Sequence, residues 1–251
     1  MTRHILQDRS EAEVLWYQRR DFLKAAAAWT SMGGYAAAQA QQRSNIVQLT
    51  GDALVNGKRL DAQQSMQTGD RVVTGPGSNV IFVVGNSSFQ LRQNSDLTVE
   101  RGASLFAVSV LRLLTGAVVS AFGKGSNRQI VTPTMTAGIR GTGVYTEVPA
   151  NQGGRSYFCN CYGTVDVAAG GDRVVSQTMY HQSFWAETAK GGRLLTSAKA
   201  INHTDEELEY LAALIGERTG WQVMGRKGIK DGRGYMDQQP GQMHPADMLG
   251  K

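Results

Sequence analysis

From Ile46 onward the chain is written in short apolar alternations cut by Gly, Asn, Asp and Ser: IVQLTGDALVNG, DRVVTGPGSNVIFVVGNSSFQLRQNSDLTVE, LRLLTGAVVSAF, QIVTPTMTAGIRGTGVYTEV and CYGTVDVAAGGDRVV. Period-2 patterning, β-branched enrichment and a turn signal every few residues predict many short strands, with no helix-period segment before about residue 203. Three stretches share one skeleton, an alternating run, a glycine, then another alternating run, centred on Gly51, Gly116 and Gly163. A glycine inside a strand pattern marks a bulge, a corner or a close backbone approach. The expected fold class is all-β, a solenoid-like or β-helical stack of short strands with glycine at the corners and one C-terminal α-helix.

That helix is expected in HTDEELEYLAALIG, residues 203–216. Thr204 and Glu207 form a capping box, and Asp205 and Glu206 suit the positive end of the helix dipole. Leu208, Leu211, Ala212 and Ile215 then make one apolar face, and Gly216 ends it. Such a helix is expected to cover an edge strand of the β body. Residues 225–251 are rich in Gly, Lys and Gln without apolar periodicity and are expected to be disordered.

The leader changes the picture of where the chain works. Residues 18–40, QRRDFLKAAAAWTSMGGYAAAQA, resemble a twin-arginine export signal through Arg19, Arg20, Phe22, Leu23 and Lys24, with Ala38 and Ala40 suited to signal peptidase. The expected layout is a signal peptide over 1–40, a β domain over 41–200, a helical cap over 201–224 and the loose tail. The expected location is the periplasm, and no later segment reaches the roughly 18 uninterrupted apolar residues of a membrane span. The whole chain carries 26 basic and 21 acidic side chains, and residues 41–251 keep 21 against 17. Much of that excess lies in the glycine-diluted tail, so a nucleic-acid partner is not expected.

The stretches IVQLTGDALVNG, GDRVVTGPGSNVIFVVGNSSFQLRQNSDLTVE, LRLLTGAVVSAF and IVTPTMTAGIRGTGVYTEV together resemble the FecR-type periplasmic domain over roughly residues 45–190. The signature of that family, Thr-Pro, a small-residue segment, then Arg-Gly-Thr, matches Thr132, Pro133, Arg140, Gly141 and Thr142. The resemblance implies an all-β, solenoid-like domain and a link to signalling from outer-membrane iron-siderophore receptors. A cleavable leader in place of a cytoplasmic segment argues instead for a free-standing, non-catalytic binding or scaffold protein with a protein partner in the envelope.

Both cysteines of the chain stand one residue apart, in YFCNCYG, residues 157–163. On a strand they share a face with Cα atoms about 7 Å apart, too far for an unstrained disulfide. Three readings stay open: small apolar residues facing a core, a redox pair, or a clamp for a soft metal such as Cu or Zn. The metal reading needs further ligands. His181 follows Cys161 by 20 residues and is the first choice, and His203 at the helix start is a second; His4 leaves with the leader and His244 lies in the tail. This makes a periplasmic metal- or cofactor-binding protein the alternative function, with an iron-transport signalling component as a further one.

Enzyme signatures are missing: no G-x-S-x-G, no phosphate loop between a strand and a helix. The segment GIRGTG runs into VYTEV, a strand, so its glycines read as a corner rather than an anion cradle. Glu147, Asp166, Asp172 and Glu187 are scattered among strands and read as surface carboxylates.

Overall fold

The computed structural model describes residues 44–125, 127–187, 194–227, 229–230 and 235–236. The leader, with Arg19, Arg20, Phe22, Leu23 and Lys24, lies outside the described residues, as do His244 and most of the tail. Fourteen strands make one large sheet: β1 (Ile46–Thr50), β2 (Ala53–Val55), β3 (Lys58–Arg59), β4 (Arg71–Thr74), β5 (Asn79–Val84), β6 (Ser87–Leu91), β7 (Asp96–Arg101), β8 (Val108–Phe122), β9 (Arg128–Val131), β10 (Thr136–Val148), β11 (Ser156–Ala169), β12 (Asp172–Thr178), β13 (Gln182–Ala186) and β14 (Leu195–Ala198). Two helices follow, α1 (Asp205–Leu214) and α2 (Gly220–Met224), then a short pair β15 (Ile229–Lys230) and β16 (Tyr235–Met236).

The three recurring glycines are where the sheet turns on itself. Gly51, Gly116 and Gly163 have φ of +73°, +84° and +99°. A β-carbon on Gly163 would stand 2.5 Å from Thr142 Cγ2, so both its backbone conformation and its surroundings demand glycine. At each bend the strand changes partners. The first half of β8 pairs with β7 and β9, the second with β6 and β10. The first half of β10 pairs with β9 and the second with β8, across an irregular register between Arg140 and Gly143. The first half of β11 pairs with β13 and the second with β12.

The result is two lobes of one sheet enclosing a main core. Leu97, Leu111 and Ile130 come from one lobe, and Phe82, Phe89 and Val118 from the other; all are fully buried. The all-β reading therefore describes the body, while the stack of coils is not confirmed. Pairings are antiparallel throughout the described strands except β8 with β9, so the bends join lobes of a sheet instead of successive turns of a helix. A period-2 pattern with corner glycines is common to both arrangements, and pairing partners are not written in it.

A second apolar cluster lies on the opposite face of the second lobe. Ile81, Val119, Ala121, Tyr145, Tyr157, Cys159 and Cys161 alternate with residues of the main core along their strands and are covered by Leu208, Leu211, Ala212 and Trp221. The helix α1 begins with the expected capping box, Thr204 with Glu207, and buries the expected face. It packs across β6, β8 and β10, an interior sheet face and not the expected edge. The Ser88 hydroxyl donates to the Leu211 carbonyl at 2.7 Å, and Arg92 pairs with Glu207 at 2.7 Å. The sequence reading expected one helix; α2 is the second, opened by another capping box, Thr219 with Gln222. Among the described residues no helix is long and apolar enough to cross a membrane.

Candidate metal centre

Register puts both cysteines on the outer face of the second lobe. Cys159 stands opposite Tyr145 on β10 and Ser183 on β13, so its strand is held from both sides. The two sulfurs are free thiols 3.7 Å apart, well beyond a disulfide bond. His181 sits in the turn between β12 and β13, at φ +29°. Its backbone N–H donates to the Cys161 carbonyl at 2.9 Å, which fixes the ring beside the cysteines. An uncommon φ at a non-glycine residue is a feature of sites that hold a side chain in a required place. His203 arrives from the connector leading into α1.

These four side chains meet. Cys159 Sγ, Cys161 Sγ, one nitrogen of His181 and one of His203 all lie within 4.8 Å of one another, in a fully buried setting. Cys159 Sγ to His181 Nδ1 is 3.4 Å, Cys161 Sγ to His203 Nε2 is 3.5 Å, and His181 Nδ1 to His203 Nε2 is 3.0 Å. With metal–sulfur bonds of about 2.3 Å and metal–nitrogen bonds of about 2.0–2.1 Å, a tetrahedral zinc site has edges of about 3.8 Å (S to S), 3.6 Å (S to N) and 3.3 Å (N to N). The four short edges follow that order and nearly that size, and the other two, Cys159 to His203 and Cys161 to His181, are no longer than 4.8 Å.

The outer nitrogens of both rings are committed. His181 Nε2 meets Asp205 Oδ1 at 3.0 Å, and His203 Nδ1 meets the Ile201 carbonyl at 2.6 Å. Both partners accept, so each ring donates its outer N–H and leaves its inner nitrogen facing the cysteines, where the neutral form offers a ligand lone pair. Asp205 is held in turn by the Tyr180 hydroxyl and Lys227 Nζ, each at 3.2 Å from Oδ2. Aromatic rings close the surroundings: Tyr145 stacks on His203 with centroids 4.7 Å apart, Trp221 stacks on His181 at 5.3 Å, and Tyr180 meets His181 edge-on.

The electrostatics set the two thiols apart and pair the first with His181. Burial works against charge on Cys159, but Cys161 and the two imidazoles outweigh it and hold this thiol well below its ordinary value. Burial and the neighbouring Cys159 push Cys161 up. Burial pulls the His181 imidazole down, yet the Cys159 thiolate and Asp205 carboxylate raise it to about 9. Asp205 is held low despite its burial, by His181 and Lys227.

Of the residues singled out from sequence, Cys159, Cys161, His181 and His203 converge. Thr132, Pro133, Arg140, Gly141 and Thr142 instead shape β10. The Met135 N–H donates to the Thr132 hydroxyl, Gly141 has φ +63° at the irregular register, and Arg140 pairs with Asp166 at 2.8 Å. Glu147, Asp172 and Glu187 each serve local partners: the Tyr145 hydroxyl, the Leu194 amide and Arg155. Sequence reasoning missed Asp205 and Lys227 as supports of the histidine, and the aromatic enclosure. Asp205 reads from sequence as a helix-dipole residue, and it does occupy the first helical position.

Comparison with known proteins adds little to this. No protein-family description matches the chain, and no curated protein does. Two solved structures of Parabacteroides distasonis proteins, both described as candidate anti-sigma factors, share weak likeness. One is 9% identical over 55% of this chain and 70% of its own, with a TM-score of 0.44; the other is 12% identical over 61% and 62%, with a TM-score of 0.34. At those values neither likeness bears on function.

Proposed function

We propose that this is an exported, non-catalytic β-sheet binding or scaffold protein whose helical cap is fastened by a structural metal centre of Cys159, Cys161, His181 and His203. The carrying observation is the convergence of two sulfurs and two inward-facing imidazole nitrogens within 4.8 Å of one another, with four of their separations close to those of a tetrahedral S2N2 site. Zn(II) is the preferred occupant: with two thiolates it forms a neutral centre, whereas Cu(I) would leave a net negative charge in a fully buried place. All four positions are filled by side chains, which suits a structural centre and leaves no open position for a substrate. Export to the periplasm through the twin-arginine leader, and FecR-like contact with an envelope protein, rest on the sequence resemblances.

The test is elemental analysis of the full chain purified after export, beside Cys159→Ser and Cys161→Ser. One zinc per chain, lost in both variants, is the expected result. Stoichiometric copper would replace zinc as the occupant, and a folded, metal-free chain would overturn the centre.

A further inference from the structure

Three of the four ligands are tied to one strand, and the fourth is not. Cys159 and Cys161 belong to β11, paired on both sides, and His181 is tied to the same strand by its backbone bond to Cys161. His203 belongs to the connector that leads into α1. The start of that connector is anchored, since the Tyr157 hydroxyl donates to the Lys199 carbonyl at 2.8 Å and accepts from the Ile201 amide at 3.1 Å. The next residue, Asn202, has φ +59°. Everything beyond it, namely His203, the Thr204 cap, Asp205 and both helices, meets the sheet through the centre, the second apolar cluster, the Ser88–Leu211 hydrogen bond and the Arg92–Glu207 ion pair.

We propose that metal occupancy controls docking of the helical cap: binding seats residues 203–224 on the outer sheet face, and metal loss releases them about Asn202 while the two-lobed sheet stays folded. This rests on the metal reading above.

Three observations carry the inference. Without a cation, the four donor atoms are joined only by thiol contacts and one imidazole–imidazole hydrogen bond of 3.0 Å, which leaves the ligand that no strand holds the freest to move. That ligand is His203, whose outer nitrogen bonds two residues back within its own connector, to Ile201, and whose ring meets the sheet by stacking on Tyr145. Next, α1 has ten residues and α2 five, lengths at which helices have little stability alone and depend on tertiary contact. Finally, the two cores are separate clusters, so the main core between the lobes does not need the cap. Close packing limits the cap to one seated position. A β-carbon on Gly143 would stand 2.8 Å from Leu208 Cδ1 and collide with the Tyr162 ring. Docking is therefore a two-state fit, the kind of element a ligand can bias.

The experiment is amide hydrogen exchange on the full chain, zinc-loaded and after chelation, with zinc content measured in each sample. Trp221 fluorescence is followed in parallel. The expected result is exchange about tenfold or more faster over residues 203–224 after zinc removal, as for a locally opening unit. A red-shifted tryptophan emission accompanies it, peptides of β7, β8 and β9 stay unchanged, and added zinc reverses both. His203→Ala, which keeps every sheet-borne ligand, is expected to match the chelated chain. Zinc removal with unchanged protection of the cap overturns the inference and leaves the metal centre standing. Loss of protection across the whole sheet also overturns it, by showing the centre to be a staple of the entire fold. A folded chain that never holds zinc removes the reading beneath it.

Discussion

His181 Nδ1 faces His203 Nε2 across 3.0 Å, although 22 residues separate the two along the chain. Each ring donates its other N–H to an acceptor, Asp205 for one and the Ile201 carbonyl for the other. Two inward-facing ring nitrogens beside two sulfurs define what the site attracts, and the consequences are measurable.

The Asp205 carboxylate orients His181 and strengthens it as a ligand. Asp205→Asn keeps the shape and removes the charge. It is expected to weaken zinc binding about 10- to 100-fold while the chain stays folded. Competition against a chromophoric chelator reads this directly, and an unchanged affinity would remove Asp205 from the centre.

Because the centre exists only in the folded chain, zinc should raise the thermal midpoint in proportion to the logarithm of its free concentration. A thousandfold excess over the dissociation constant corresponds to about 4 kcal/mol. Thermal melts in metal-buffered solutions test this, and a midpoint independent of zinc contradicts it.

Thr204 caps α1 by accepting from the Glu207 amide, with the Glu207 side chain returning the bond. Thr204→Ala is expected to cost about 1 kcal/mol. The loss should appear as faster exchange in α1 more than as a lower midpoint of the sheet, which separates a cap effect from a global one.

The main core is expected to answer differently from the surface. Phe89 is fully buried against Phe82 and Phe122. Phe89→Ala should cost about 3–5 kcal/mol in urea unfolding. Arg59 and Asp52 form an ion pair with side chains 82% and 81% exposed, so Arg59→Gln should change stability by less than about 1 kcal/mol.

Gly163 tests the bends. With φ +99° and Thr142 packed against it, Gly163→Ala adds backbone strain and a collision. A loss of about 1–3 kcal/mol from the strain alone is expected. An unperturbed unfolding midpoint would show that the corner tolerates a side chain.

Much of this was legible in the chain itself. Alternation from Ile46 onward predicts strands because successive side chains point to opposite faces, and glycine between alternating runs predicts corners because the backbone there leaves the region open to other residues. The Thr204 and Glu207 pair marks the helix start through local hydrogen bonds, and the C-x-C spacing places both sulfurs on one face of one strand. The second helix was equally local in origin, since Thr219 and Gln222 carry the same capping pattern, but its five residues are too short to show a period.

Tertiary structure alone decided the rest. Stacked coils and a folded two-lobed sheet share the same period-2 text, and only the pairing of β8, β10 and β11 with different partners on either side of their bends distinguishes them. The same pairing carries His181 to the cysteines, and the path of the connector brings His203 and Asp205 over the outer face. Periodicity and capping are local and can be read from neighbouring residues; convergence of donors 20 to 44 positions apart depends on register and packing, which no short stretch of the chain contains.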